Sequence, residues 1–572
     1  FASAKFSRIG FCMRFLIAAV LFTVSTALIL TGLAQRTILA PPSQYNLSVE
    51  PQSSAAYALI PNNVLTLHPG AIEVKVDGAP QAFIATGRES DIQAFIGESK
   101  HMSLVAVPAK SEAVAKDFAG TAPTINPSNS DLWRSQVEAQ LTASHKVSAD
   151  DGGAVLIASN GLAPIPSKIE IVWTPTFDPT PSGFLIWIGL GLLVVAVVLT
   201  LFTFRSMRVN RGPRRKTPKA PKPPRYKYRS VFKSPQRGRR SARGFIALTG
   251  GALTLTLLSG CASNPVVTPS PTAADQTEPV SLKPVQVQRI LDDVSIVARE
   301  ADAANDRRIL VERFEGAALA VRTTNYQLRA RNARIAGLQA IAATPIKFNL
   351  PAATSSWPRV AMAVTDEEGD TALPQMIVMQ QDSPRTNYKV WFTIRLMPGA
   401  EIPAVPSSEI GAIPVDAASL FLKLEPNKLP IAFGDVLNLG QASLSAQLFD
   451  LDNEFYRQVS QAQKDQATSL NNANIQYAHL LGDPNVISMA TSNGGALVAV
   501  YQLDRYTIRP KRANSAVAVG AQERLLLGAT GSTRGVRSVY GDMLLFYVPP
   551  AGDESKIVLL GATQGLISVA SL

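Results

Sequence analysis

Long apolar runs divide the chain before any composition is considered. Residues 15–34 read FLIAAVLFTVSTALILTGLA, twenty positions without a charge, held between Arg14 and Arg36. At about 1.5 Å rise per residue such a run spans roughly 30 Å, the hydrocarbon thickness of a bilayer, and predicts a transmembrane helix. Residues 183–204, GFLIWIGLGLLVVAVVLTLFTF, predict a second, with Trp187 near one end. Residues 244–260, GFIALTGGALTLTLLSG, are shorter and diluted by three threonines and four glycines. That length suits the apolar region of a signal peptide as well as a membrane span.

Between the first two runs the pattern is short and alternating. Residues 56–60, 63–67, 71–77 and 82–87 predict strands, 89–96 a brief helix stopped by Gly97, and 104–107, 154–157 and 169–173 further strands. Residues 118–131, rich in Thr, Pro, Asn and Ser, predict a loop. Residues 35–182 are therefore expected to form a β-rich domain. Residues 261–284, rich in Pro, Ser and Thr, predict a tether. Val287, Ile290, Leu291, Val294, Val297, Ala298 and Ala301 then recur at helical spacing. A turn at 302–306, a short helix through Phe314 and a helix over 317–332 follow. Strands are predicted at 359–364, 375–380 and 388–396. After Pro398 and Gly399 the order repeats, with helices near 416–422 and 448–465. Strands at 486–489, 496–503, 523–527, 536–548, 556–560 and 566–569 close the chain. Two α+β subdomains, 285–400 and 401–572, are expected. In element order and length they resemble the cones of SnoaL-like folds, an analogy of architecture alone.

Charge changes the picture by its position. The chain of 572 residues carries 55 Lys and Arg against 43 Asp and Glu, a formal net charge of +12. Residues 205–243 hold 16 of those cations, among them Arg214, Arg215, Lys216, Lys219, Lys222, Arg239 and Arg240, and no acid. Without them 39 basic residues face 43 acidic ones, so the remainder is slightly negative. The segment is broken by Pro213, Pro218, Pro221, Pro223, Pro224 and Pro235, and is expected to be an extended linker. Placing it, and residues 1–14 with Lys5, Arg8 and Arg14, on the cytoplasmic side orients all three apolar runs consistently. Residues 35–182 and 262–572 then lie outside the plasma membrane. The fold class expected is a membrane-anchored multidomain protein with two to three transmembrane helices, a β-rich first exported domain and an α+β second one.

The end of the third run adds a motif. Leu258, Ser259, Gly260 and Cys261 follow a basic flank and an apolar stretch, the three parts of a lipoprotein signal, with Cys261 the residue that would be lipidated. Of the two cysteines, Cys12 and Cys261, neither falls within an exported domain, so a disulfide framework is excluded there. Because the chain starts at Phe1, a missing true N-terminus is expected.

Catalytic patterns are weak. The four histidines are His68, His101, His145 and His479, and no H-E-x-x-H or G-x-S-x-G occurs. His479, the sole histidine after 261, reads as a packed or surface residue. The acidic run 366–370 lacks the ligand spacing of a calcium loop and predicts a hairpin turn. Residues 528–535, GATGSTRG, lack the Lys-Ser/Thr ending of a phosphate loop and predict a hairpin connection. Trp357, Tyr388 and Trp391 are either cavity aromatics or core. No cofactor, metal or catalytic residue is assigned.

The lipobox at 258–261, together with Ser355, Ser356, Trp357, Pro358 and Arg359, the run 383–391, Met397-Pro398-Gly399, Gly494-Gly495-Ala496 and the run 546–550, resembles exported actinobacterial lipoproteins of unknown function. The likeness covers about residues 285–570, and the N-terminal half is similar to a small membrane protein fused ahead of it. The resemblance implies an envelope location and carries no activity. The leading expectation is a non-enzymatic envelope protein whose exported modules bind a ligand or other envelope proteins, with membrane lipid as a further partner. An enzyme using an α+β cavity is the alternative; so is a basic loop that grips anionic lipid or, less in keeping with a single cationic segment, nucleic acid.

Overall fold

The computed structural model describes residues 3–39, 42–110, 112–149, 152–175, 180–209, 278–366, 373–482 and 486–572. The third apolar run, the lipobox residues Leu258, Ser259, Gly260 and Cys261, and the basic residues Arg214, Arg215, Lys216, Lys219, Lys222, Arg239 and Arg240 lie outside the described residues, as does most of the acidic turn at 366–370. The chain divides into two compact units, one holding residues 1–41 and 177–276, the other 42–176 and 277–572.

In the first unit α1 (Ser3–Arg36) and α4 (Thr180–Val209) pack side by side and antiparallel. Phe15 meets Phe204 edge to face at 6.4 Å, and at the opposite end Arg36 Nε donates to Ser182 Oγ at 3.0 Å. The backbones approach closely where a Cβ on Gly189 would lie 3.0 Å from Ser25 O. Phe15–Arg36 and Ser182–Arg205 are long and apolar enough to cross a membrane. Only 17% and 11% of their apolar windows are buried, so they are not the core helices of a soluble body. Phe184 and Trp187 are 70% and 73% exposed.

The second unit begins with an eight-stranded sheet. Its elements are β1 (Tyr45–Val49), β2 (Tyr57–Ile60), α2 (Asn62–Leu65), β3 (Ala71–Arg88), α3 (Glu89–Ile96), β4 (His101–Val107), β5 (Glu112–Phe118), β6 (Ser135–Val147), β7 (Gly153–Ala158) and β8 (Lys168–Thr174). The strand order is β1-β8-β3-β7-β2-β4-β5, with β6 along the other edge of β3. One face buries Val74, Ile84, Leu104, Ile157 and Trp173; the other is closed by Ile92 and Phe95 of α3 against Trp133. The helix expected at 89–96 and its stop at Gly97 are found, as is the loop at 118–131. Two expectations change. Residues 63–67 are not a strand, because Pro61 starts a single helical turn there. Residues 71–77 and 82–87 are one strand, because the Gly78-Ala79-Pro80 break is absorbed by register shifts against β6 and does not reverse the chain.

The rest of the unit repeats a helix-then-sheet order. First come α5 (Pro284–Ala304), α6 (Arg307–Leu310) and α7 (Gly316–Arg331), then β9 (Ile346–Pro351), β10 (Arg359–Thr365), β11 (Gln375–Gln381) and β12 (Lys389–Arg395) in a four-stranded antiparallel sheet. Next are α8 (Leu429–Leu439), α9 (Glu454–Ser469), β13 (Ala473–Leu481), β14 (Ile487–Ala490), β15 (Ala496–Pro510), β16 (Val517–Ala518), α10 (Ala521–Leu527), β17 (Gly531–Ser532), β18 (Val536–Val548) and β19 (Val558–Ser571). The second sheet runs β13-β15-β18-β19, with β14 also on β15.

The two sheets are stitched together where Leu396 bridges Gly561 and Met397 N donates to Leu560 O at 2.9 Å. One core, built from Leu291 and Val294 of α5, Met362 and Phe392 of the first sheet and Leu497, Met543 and Leu545 of the second, crosses the boundary expected at residue 400. A second core, centred on Phe433, Phe449 and Phe546, covers the other face of the second sheet. Residues 523–527 are helical, since Leu525, Leu526 and Leu527 sit between Gly520 and Gly528, a left-handed cap at φ +72°. Residues 416–422 are turns, with Asp416 Oδ1 accepting from Ala418 N at 2.7 Å, and Leu420 and Phe421 are exposed.

Candidate functional site

The second sheet turns one face toward α8 and α9, and α9 covers it incompletely. Of its sixteen residues only Phe455 and Val459 are buried. Beneath it lies a cavity of about 990 Å³. From α9 come Gln458, Gln463 and Gln466; from the sheet come Tyr506, Ser538, Tyr540 and Gln564; Val459, Ile508 and Val536 supply apolar wall. Tyr477 Oη donates to Gln463 O at 3.3 Å and to Gln466 Oε1 at 2.9 Å, fixing the helix over the opening. The rings of Tyr477, Tyr506 and Tyr540 follow one another, the first pair edge to face at 5.2 Å and the second tilted at 5.5 Å. Burial, reinforced by Asp504 and Asp542, pushes the Tyr506 hydroxyl above its ordinary range. Burial and then Glu523, which accepts from Tyr540 Oη, do the same at Tyr540. Both hydroxyls therefore keep their protons and remain donors. Glu454, Asp465 and Glu523 against Arg395 make the lining mildly acidic.

Behind this wall the register lines up a row of polar groups. Asp504 on β15 faces His479 on β13 and Tyr540 on β18; Asp542 on β18 faces Gln502 on β15 and Gln564 on β19. Directly paired residues share a sheet face, so the row lies on one side. His479 Nδ1 pairs with Asp504 Oδ1, and Gln502 Nε2 donates to the same oxygen at 2.8 Å. His479 Nε2 is within 3.1 Å of Asn438 Oδ1 on α8. The helix comes this close because position 434 is glycine: a Cβ there would lie 2.4 Å from His479 Cβ. Asp504 and Asp542 are wholly buried, and neither oxygen of Asp542 has a hydrogen-bond partner. Burial first, and Asp504 second, push the Asp542 carboxyl well above its ordinary value. A neutral carboxyl is the form such an environment holds. Gln564 and Tyr540 belong to both the row and the cavity lining, whereas His479 and the two aspartates lie behind it.

A second polar cluster joins residues 42–176 to 278–572. Asp131 Oδ2 accepts from Arg313 Nη1 at 2.6 Å and from Tyr388 N at 2.8 Å. Gln286 Nε2 and Arg289 Nη2 donate to carbonyl oxygens of 131–133. Asp91 accepts from Arg88 on its own module and from Arg359 Nη2 at 2.7 Å across the contact. Arg385 caps the end of α3, donating to Phe95 O, Ile96 O and Ser99 Oγ at 2.7–2.8 Å. Trp357 lies on the Trp133 cluster, its ring 3.7 Å from the Arg359 guanidinium carbon. Burial pushes the Asp131 carboxyl up, and Arg313 with the Tyr388 N–H pulls it back.

Of the two readings open for Trp357, Tyr388 and Trp391, cavity or core, the core reading holds for two. Tyr388 and Trp391 are core, and Trp357 is a contact residue. Residues 528–535 follow a helix and lead through β17 into β18; no helix starts from them, so they form no phosphate cradle. His479 is brought to Asp504, as its isolated place in sequence could not indicate. The signal for the row lies in Gln502 and Asp504, two apart on β15 after the apolar run 496–501, and in Asp542 on β18 before the apolar run 543–548. No group of three or more metal-ligating side chains occurs among the described residues.

A family model described as Domain of unknown function (DUF8094) matches residues 281–571. No curated protein and no solved structure matches the chain. The SnoaL-like cones expected from element order thus find no support in these matches.

Proposed function

Given that the chain belongs to the DUF8094 family, which is defined by a domain of unknown function, we propose that it is a membrane-anchored protein of the cell envelope that binds a small ligand without transforming it. The observation that carries this reading is the cavity of about 990 Å³, the size of a small-molecule site. Its carboxamides and tyrosine hydroxyls suit a neutral, hydroxyl-bearing ligand such as a carbohydrate, with the tyrosine rings and aliphatic wall taking an apolar face. The excess of carboxylates over Arg395 disfavours an anion. A binding role is supported over catalysis at His479 because both ring nitrogens are engaged and its side chain is only 2% exposed. The carboxylates Glu454, Asp465 and Glu523 in the lining are what an enzymatic reading would draw on.

Connectivity supports the anchoring. Residues 42–176 and 278–572 belong to one body, and α1 and α4 join its first part at their adjacent ends. If those helices cross the membrane, residue 209 is on the far side and the chain must cross again, or be cut and exported, before residue 278. The apolar run at 244–260 is placed for either event, with Cys261 as the lipidated residue. The 16 cations of 205–243 then mark the cytoplasmic side and are positioned to meet anionic lipid.

The binding claim is tested on the full chain in detergent by thermal unfolding with a panel of soluble mono- and disaccharides. At about a hundredfold excess over Kd a ligand adds about 2.7 kcal/mol of stability. At least one sugar is expected to raise the midpoint in the wild type and to lose that effect in Gln564→Ala. A panel without effect, or equal shifts in the variant, would count against the cavity as the site.

A further inference from the structure

We infer that the arginine-bearing face of residues 278–572 is a recognition surface for the β-sheet module 42–176, able to hold it without the covalent connection through 210–277. The cores argue for this first. The apolar clusters of residues 282–560 contain no residue from 42–176, and the main core of the β module contains none from 278–572. One aromatic crosses: Trp357, partly buried against the smaller cluster that contains Tyr57, Phe95 and Trp133. A single hydrophobic body would mix its cores; these two modules meet as separately folded surfaces do.

The contact also has the make-up of a protein–protein interface. An aromatic anchor sits among arginines, the residue types that dominate binding energy where water is excluded. Arg313, Arg359 and Arg385 each reach a different place on the partner: Asp131, Asp91 and the carbonyl end of α3. Arg313 and Arg359 have side chains 8% and 1% exposed, and the aspartates they meet are 1% and 5% exposed. Two carboxylates and a helix C-terminus, spaced to match three guanidinium groups, form a complementary pattern that other surfaces would leave unpaired. The partner this face fits is thus a β-sheet module presenting one aspartate in a loop, one in the first turn of α3, and the carbonyl end of that helix.

A protease site placed within 262–277 of the full chain tests this. After purification in detergent and cleavage, the two fragments are expected to co-elute on size exclusion at micromolar concentration and to keep their far-UV circular dichroism. Trp357→Ala is expected to weaken the cleaved pair by about a hundredfold, in the range of an interface hot spot, and Arg385→Ala to raise the dissociation rate with the fold retained. Fragments that separate while each stays folded would overturn the inference, and so would loss of structure on cleavage, which would show one inseparable body.

Discussion

Asp131→Ala will lower the unfolding free energy of the unit built from 42–176 and 278–572 by about 3–5 kcal/mol, the cost of leaving a buried cation without its partner. The carboxylate is 1% exposed and receives Arg313 Nη1, the Tyr388 N–H and no solvent in exchange. Its removal strands a guanidinium that is 8% exposed, left with the Tyr388 carbonyl at 3.5 Å and one carboxylate, Asp293 at 2.7 Å, on a residue that is 43% exposed. That remaining partner places the effect nearer the lower end. Asp131→Asn keeps an acceptor for Tyr388 N and should lose less. Replacing Arg313 by Met in the Asp131→Ala background should restore part of the loss, because the stranded charge goes too. Thermal and urea unfolding of the four proteins measure all of this. A loss under about 1 kcal/mol for Asp131→Ala would mean the pair behaves as a surface ion pair.

Asp542→Asn will change how stability depends on pH. In the unfolded chain this carboxyl titrates near its ordinary 3.8, whereas burial and Asp504 raise it in the fold. Below that ordinary value both states hold the proton and folding gains the full benefit. As pH rises past it, the unfolded chain releases the proton and the folded chain does not. Stability then falls by about 1.4 kcal/mol per pH unit until the folded value is reached. Asparagine keeps the shape, carries no titrating proton and offers an N–H toward Asp504. The variant should therefore match the wild type near pH 4 and be clearly more stable near pH 7, with a flatter profile. Parallel profiles for the two proteins would contradict a neutral Asp542.

Legibility in the sequence followed the range of the forces involved. Helices fixed by local periodicity or caps were readable: the stripe from Val287 to Ala301 became α5, and Gly97 did end α3. Short apolar runs were not, because Asn63–Leu67 and Glu523–Leu527 fit either period, and the flanking Pro61 and Gly528 decided in favour of helix. The break at Gly78-Ala79-Pro80 read as a turn because register shifts depend on the neighbouring strand. Tertiary pairing was out of reach altogether. Asp91 and Arg359 are 268 positions apart and Asp131 and Arg313 are 182 apart, so nothing local marks either pair. His479 reads from sequence as packed or surface and is packed, but its partner Asp504 arrives only through β13–β15 pairing.

The central claim is that residues 42–176 and 278–572 stand as one body on one face of a membrane, opposite the basic segment. Single cysteines at Leu162 and Leu444, 80% and 91% exposed, and at Lys222 in the basic segment, each in a Cys12→Ser, Cys261→Ser background, test it in intact cells with a membrane-impermeant maleimide. Labelling at 162 and 444, with 222 reached only after the membrane is permeabilised, is the predicted result; 162 and 444 reacting from opposite sides would contradict it.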